Sequence, residues 1–180
     1  MSARSLLGIF ILSTILPAMG QEGPVIPEGQ VDPAKVVDAL APKQPIRTRS
    51  LQIVREDTDS MGGGTQPAKV SLLITFDTNS ANLTPGAKQS LDAVGQALAS
   101  EKLSSSRFAI EGHADPRGAA NTNLKLSQQR AESVRDYLVQ NMHIDGTRLE
   151  AVGKGDRELM NKSNPLAPEN RRVTIVNLSH

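Results

Sequence analysis

From Lys69 onward the apolar residues alternate between a two-residue period and a helical period, and this alternation limits the chain to few folds. Residues 70–76, VSLLITF, have the two-residue period that is typical of a strand. Thr84 followed by Pro85 predicts a helix start, because threonine is a good N-cap and proline fits the first turn of a helix. Apolar residues then recur at helical spacing as far as Leu98. A first strand therefore leads into a first helix.

The same succession continues toward the C-terminus. Residues 107–112 are predicted to form a second strand, and residues 148–153 and 172–178 a third and a fourth. Between the second and third strands lies a second amphipathic helix, with its inward positions at Leu124, Ser127, Ala131, Val134 and Leu138. The predicted order β-α-β-α-β-β describes an α+β domain in which two helices pack on one face of a mixed sheet.

The N-terminal third of the chain has a different character. Residues 1–20 combine a basic residue, a short apolar run and small residues at the end, which predicts a cleaved signal peptide. Residues 21–68 contain many prolines and glycines, which interrupt regular elements, and are predicted to be a tether. Within it, residues 33–40 fit a short helix and residues 49–55 a possible edge strand. The globular domain is predicted to span residues 69–180, with no stable membrane span once the signal is cleaved.

Charge and composition exclude several partners. The 20 lysines and arginines against 19 acids give a net charge of +1, so no bulk field attracts a polyanion. Aromatic residues make up 2% of the chain, too few for a surface on which bases stack. We therefore expect no nucleic-acid partner. Cysteine is absent, which removes disulfides and thiolate metal sites.

The stretch EGHADPRG, residues 111–118, follows the second strand and contains the strongest candidate for a site. Pro116 and Gly118 favour a tight turn that holds Asp115 at the end of the sheet. Arg130 lies on the next helix, at the edge of its apolar stripe. Two interpretations are open here: the two side chains form an ordinary salt bridge, or a ligand with both charges separates them. A carboxylate for an ammonium and a guanidinium for a carboxylate together describe a receptor for an amino-acid zwitterion.

An enzyme or a metal centre is a weaker interpretation of the same stretch. Glu111, His113 and Asp115 alternate, so an extended segment would direct all three side chains to one side. The remaining histidines are His143 and the terminal His180, and no second ligand cluster accompanies them. We therefore predict neither a catalytic group nor a metal site nor a cofactor.

Two further polar segments flank the predicted site. In NRR, residues 170–172, alternation allows one of the two arginines to face the site, and the alternative is a basic strand edge that discourages aggregation. In FDTNS, Asp77 and Asn79 either form a turn before the first helix or supply polar groups to the pocket.

Taken together, FDTNSANLTPGAKQSLDAVGQAL, IEGHADPRGAANTNLKLSQQRAESVRDYL, RLEAVGKGD and ENRRV resemble the OmpA-like C-terminal domain family. The resemblance runs from about Val70 to Leu178. It implies a β-α-β-α-β fold and non-covalent binding of bacterial peptidoglycan through the diaminopimelate of the stem peptide.

The resemblance also implies roles for individual residues. Asp115 matches the acid that contacts the diaminopimelate ammonium, and Arg130 matches the arginine that pairs with its carboxylate. Further positions that match polar residues of the family's pocket are Asp77, Asn79, Asn123 and Arg171. Ala114 departs from the family, which usually has threonine there; a hydroxyl is lost, and the backbone amide is expected to stay available.

The predicted function is therefore that of a non-enzymatic tether or scaffold in the periplasm of a Gram-negative bacterium, associated with the outer membrane or the cell wall. Peptidoglycan is the expected partner. Two alternatives remain: a peptidoglycan-modifying enzyme that uses Glu111, His113 or Asp115, and a scaffold that recruits an envelope protein through residues 21–67.

Overall fold

The computed structural model describes residues 24–41, 67–76 and 80–179. The predicted signal peptide, the possible edge strand at residues 49–55, and the candidate site residues Asp77 and Asn79 lie outside the described residues.

The protein is built on one mixed sheet of five strands in the order β1-β2-β5-β3-β4. Along the chain the elements are β1 (Val25–Ile26), α1 (Pro33–Leu40), β2 (Lys69–Leu72), α2 (Pro85–Ala99), β3 (Phe108–His113), α3 (Ala120–Met142), β4 (Leu149–Gly155) and β5 (Val173–Asn177). Strand β5 is antiparallel to both of its neighbours, β2 and β3, whereas β1 runs parallel to β2 and β4 parallel to β3. The predicted α+β class and the order β-α-β-α-β-β from residue 69 are confirmed.

The core joins the helices to one face of the sheet. Phe108 and Ile110 of β3 and Ile175 of β5 are fully buried and share one aliphatic cluster with the inward side chains of all three α-helices. Helix α2 begins as predicted, with the Thr84 hydroxyl accepting from the Ala87 amide at 3.2 Å and Pro85 in the first turn.

Helix α3 lies unusually close to the sheet where glycines replace side chains. A Cβ on Gly112 of β3 would collide with the Ser127 carbonyl of the helix, and one on Gly153 of β4 would come within 2.7 Å of the Gln128 backbone. Here the glycines are required by the close approach of the two backbones. The contact holds the N-terminal half of α3, which carries Arg130, against the strands that lead to Asp115.

Residues 24–41 correct the predicted tether. Strand β1 pairs with β2, and Ile26, Val36 and Leu40 belong to the core cluster. The short helix predicted at residues 33–40 is confirmed, with Asp32 as its N-cap. This segment, called the N-terminal arm below, folds onto the domain because its few apolar side chains are spaced to complete the core, whereas the prolines around them suggested a free chain.

Two strand predictions are also corrected. Strand β2 ends at Leu72 rather than near Phe76, because the amide of Thr75 donates to the Glu28 side chain of the arm and not to a neighbouring strand. Strand β5 lies in the middle of the sheet, so the arginines that precede it do not protect a sheet edge.

Within residues 24–41, 67–76 and 80–179, no helix combines the length and the apolar character that crossing a membrane requires.

Candidate functional site

Asp115 lies in the turn that follows β3, and its carboxylate is turned inward. The Ala114 amide donates to the Gly155 carbonyl at 2.8 Å, which extends the pairing of β3 with β4 up to the turn. The amide of Arg117 donates to Asp115 Oδ1 at 3.1 Å, and Gly118 adopts a φ of +108°. The turn therefore leaves only 6% of the Asp115 side chain exposed.

Two arginines hold this carboxylate. Arg117 Nε lies 3.1 Å from both carboxylate oxygens, and Arg117 Nη2 lies 2.6 Å from Oδ2. Arg171 Nη1 donates to Oδ2 at 2.8 Å. Hydrogen bonds from Arg117 first, and then from Arg171, hold the pKa of Asp115 well below its usual value against the opposing effect of burial. The carboxylate is thus ionised, and Arg117, with 60% of its side chain exposed, is the more exposed of its two partners.

Arg130 approaches the same place from α3. Its guanidinium lies over the Phe76 ring, 4.8 Å from the centroid, and its Nε donates to the Ser80 carbonyl at 3.1 Å. Burial and the nearby charge of Arg171 lower the pKa of Arg130, while Asp115 acts in the opposite direction. Among the described residues the ion pairs of Asp115 run to Arg117 and Arg171, so the simple Asp115–Arg130 salt bridge left open by the sequence is wrong.

A groove of about 430 Å³ runs beside these charges. It is lined by Glu28, Leu73, Ile74, Thr75, Phe76, Arg130, Pro168 and Arg171. Both Arg130 and Arg171 line it, and Arg171 connects it to the Asp115 carboxylate, which is not itself a lining group. Fixed guanidinium forks suit carboxylates, and a carboxylate beside them suits an ammonium.

The other predicted site residues differ in position. Asn123 is buried, and its Nδ2 donates to the Asp115 carbonyl at 3.2 Å and to Asp156 Oδ2 at 3.0 Å. It therefore fixes the turn that carries Asp115. Ala114 is buried as well, and its amide is used by Gly155, so the expectation that this amide is available to a ligand is wrong.

Glu111 and His113 belong to the opposite face of the sheet. His113 Nε2 lies 3.9 Å from Glu111 Oε2, whereas Asp115 pairs with arginines on the groove side. The trio of Glu111, His113 and Asp115 is therefore separated, because β3 ends at His113 and Asp115 lies in the turn that follows the strand. Burial, followed by the charges of Arg172, Lys154 and Lys69, lowers the pKa of His113 to about 3.

Glu111, His113 and Glu158 each offer a ligand atom within 4.8 Å of the others. However, the Lys154 ammonium lies 3.1 Å from a carboxylate oxygen of both Glu111 and Glu158. This lysine takes the place that a cation would fill between the two acids.

Sequence patterns did not single out three residues of the site: Arg117, which pairs with Asp115, and Phe76 and Glu28, which line the groove. A local signal existed for Arg117, because it stands two residues after Asp115 in a turn that allows a side-chain contact. For Phe76 the alternating pattern indicates only a strand position. Glu28 carried no local signal, since 47 positions separate it from Thr75, to which it is bonded.

The family and its relatives agree with this architecture. The model of the OmpA family matches residues 75–172. The peptidoglycan-associated lipoprotein of Rhizobium meliloti is 35% identical over 105 residues, covering 57% of this chain and 58% of the relative. Outer membrane protein Omp38 of Acinetobacter baumannii is 32% identical over 152 residues, covering 83% of this chain and 39% of the relative. This chain therefore spans less than two thirds of the length of either.

Solved structures show the same fold. The peptidoglycan-associated lipoprotein of Burkholderia pseudomallei has a TM-score of 0.50 at 28% identity, covering 59% of this chain and 88% of that one. The cell wall anchor of the type VI secretion system (T6SS) of Pseudomonas aeruginosa has a TM-score of 0.54 at 25% identity, covering 67% and 87%.

The names of these relatives place them at the outer membrane or the peptidoglycan of Gram-negative bacteria, and the predicted periplasmic location is confirmed. None of the four is named as an enzyme. With a family match over more than half of its residues, and with the expected sheet and helices, the chain belongs to the OmpA family.

Proposed function

We propose that the protein binds bacterial peptidoglycan non-covalently, through the diaminopimelate of the stem peptide, and acts as a periplasmic tether or scaffold at the cell wall. The observation that carries this proposal is the Asp115 carboxylate, ionised and 6% exposed, next to a groove in which Arg130 and Arg171 lie. The peptidoglycan-associated names of two relatives support the same class of ligand.

The chemistry of the ligand matches the order of charges in the site. A free amino-acid centre of diaminopimelate carries an ammonium and a carboxylate on one carbon. In the proposed complex the ammonium contacts Asp115 and the carboxylate contacts Arg130, with Arg171 between the two charges. Lysine, which replaces diaminopimelate in other walls, has the side-chain ammonium without that carboxylate, so both arginines would lose their partner.

Ligand entry then requires an exchange of partners at Asp115. Arg117 is the group most readily displaced, because its side chain is 60% exposed and regains water when it leaves. Arg171 is 39% exposed and also lines the groove, so it can remain on Asp115 while it faces the ligand. The ligand ammonium takes the place of the Arg117 guanidinium, so the buried carboxylate keeps a cationic partner.

The test is co-sedimentation of the purified protein with sacculi of the diaminopimelate type and of the lysine type. We expect the wild type to pellet selectively with the diaminopimelate type and Asp115→Ala and Arg130→Ala to remain soluble. Arg135→Ala is the matched control, because Arg135 lies on the same helix and its ion pair is with its neighbour Asp136. It should bind like the wild type.

Circular dichroism of each variant verifies that it is folded. Equal pelleting of the wild type and both site variants would reject the proposed site, and equal pelleting on both wall types would reject diaminopimelate as the ligand. Soluble muropeptides are measured in the same supernatants. Their release by the wild type, and its loss in Asp115→Asn, would replace the binding function by the enzymatic alternative.

A further inference from the structure

The N-terminal arm contributes one charged side chain to the binding groove. Glu28 lies between β1 and α1, and it lines the groove together with Arg130 and Arg171. Two backbone hydrogen bonds fix the arm just before Glu28. Ser71 and Leu73 donate their amides to the carbonyls of Pro24 and Ile26 at 2.9 and 3.0 Å.

Glu28 is bonded to both ends of one loop. Its Oε2 accepts from the Thr75 amide at 2.9 Å, and its Oε1 accepts from the Thr84 hydroxyl at 3.2 Å. The next residue of the arm, Gly29, donates its amide to Ser90 Oγ of α2 at 3.0 Å. A Cβ on Gly86 would collide with the Glu28 carboxylate, so a larger residue at position 86 would require the Glu28 side chain to shift.

The same loop holds Arg130. Phe76, next to Thr75, supplies the ring beneath the guanidinium, and Ser80 supplies the carbonyl that accepts from Arg130 Nε. Phe76 is also bridged to Leu83, next to Thr84. Glu28 therefore contacts the residues that flank this bridge, and Phe76 of the bridge lies beneath the guanidinium.

We propose that Glu28 is a positioning residue of the receptor, which fixes Arg130 in its binding orientation by holding Thr75 and Thr84, the neighbours of the bridged residues Phe76 and Leu83. The inference rests on the proposed function for its effect on affinity. The family match begins at residue 75, so Glu28 lies outside it, and the arm adds a part of the site that the family segment alone does not contain.

The first measurement needs no ligand. In a ¹H–¹⁵N spectrum, the Nε–H signal of Arg130, assigned by its loss in Arg130→Lys, reports on the orientation of the guanidinium. We expect this signal to shift or broaden in Glu28→Ala and to remain unchanged in Asp32→Ala. Asp32 is the matched control, because it belongs to the same arm and caps α1 through the Ala34 amide without contacting the loop.

The second measurement is a double-mutant cycle on affinity for diaminopimelate-type muropeptides. We expect Glu28→Ala to weaken binding by about five- to tenfold in the wild-type background and by less than about twofold when Arg130 is already alanine. Glu28→Gln keeps an acceptor for the Thr75 amide and should recover most of the affinity. Should Glu28→Ala fail to fold, Glu28→Asp, which shortens the side chain by one methylene, takes its place in the cycle.

The outcomes separate the two proposals. An unchanged Arg130 signal in Glu28→Ala overturns the positioning role, whatever the wall binding. Equal losses in both backgrounds overturn it as well, because Glu28 would then act independently of Arg130. If the signal shifts but neither the wild type nor any variant binds muropeptides, the positioning stands and the proposed ligand is wrong.

Discussion

Two charged clusters lie on opposite faces of the same end of the sheet, and the adjacent residues Arg171 and Arg172 belong to different clusters. Arg171 donates to Asp115 on the groove side, whereas Arg172 is buried on the other face and donates to the Glu158 carbonyl at 3.3 Å. On the groove side, one buried carboxylate pairs with two partly exposed arginines. On the other face, Lys154 bridges two acids, and this cluster also lines a pocket, of about 210 Å³. The two faces therefore differ in how their charges are paired, and neither charge nor a cavity alone distinguishes the proposed site.

The largest expected difference in wall affinity is between variants of one acid on each face. Asp115→Asn removes the charge that is proposed to hold the ligand ammonium, and we expect the affinity for diaminopimelate-type sacculi to fall roughly 30-fold or more. Glu111→Gln changes an acid of the opposite cluster and should alter affinity less than about twofold, since Glu111 lies on the other face, where its charge is paired with Lys154. Binding isotherms for both variants test this difference. Equal losses of affinity would show that the groove side has no special role in binding.

Variants of the two neighbouring arginines should change different properties: wall binding for Arg171 and stability for Arg172. Arg171→Gln should weaken wall binding and lower the free energy of unfolding by at most about 1 kcal/mol, because its side chain is 39% exposed and Arg117 still pairs with the Asp115 carboxylate. Arg172→Gln should lower the free energy of unfolding by about 1–3 kcal/mol, because the residue is buried and hydrogen-bonded. Urea unfolding and sedimentation of both variants measure the two effects. A stability loss confined to Arg171→Gln would reverse the assignment of the faces.

The two faces should also differ in their response to pH. The pKa of His113 falls from 6.5 to about 3 in the folded protein, so between these values the unfolded chain binds the extra proton. The neutral His113 therefore contributes fully to stability above pH 6.5. As the pH falls from 6.5 toward 3, the free energy of unfolding decreases by about 1 kcal/mol per pH unit. The pKa of Asp115 is lowered from its ordinary value of about 4, so this carboxylate stays ionised between pH 5 and pH 7.

Urea unfolding at pH 7, 6 and 5 measures this slope, and His113→Gln should flatten it. Groups that titrate elsewhere contribute equally to both proteins, so the difference isolates His113. An identical slope in the two proteins would show that the histidine does not titrate as described.

The smallest effect concerns Arg117. If the ligand ammonium displaces this side chain, Arg117→Ala removes a competitor and should leave affinity unchanged or raise it by up to about fivefold. Calorimetric titration with a muropeptide resolves a change of this size. A clear loss of affinity would show that Arg117 contacts the ligand rather than leaving its place.

Much of the fold could be predicted from sequence patterns. Thr84 and Pro85 mark the start of α2, and the stripe through Ala131 and Leu138 is buried as expected. The prediction was wrong for the N-terminal arm, where frequent prolines indicated a tether. Val36 and Leu40 fit the short predicted helix, but together with Ile26 they are too few to indicate that the segment packs on the domain, and yet they complete the core.

The sequence by itself determined the features that depend on residues a few positions apart: the strands and helices from residue 69, the cap at Thr84 and the turn around Asp115. Only the tertiary structure decided that Arg171, 56 positions away, reaches the Asp115 carboxylate and that Glu28 joins the groove. The physical reason is that periodicity and turn chemistry act along the chain, whereas partners for a buried charge are chosen by which strands meet. In this protein, β5 enters between β2 and β3, and that insertion assembles the site.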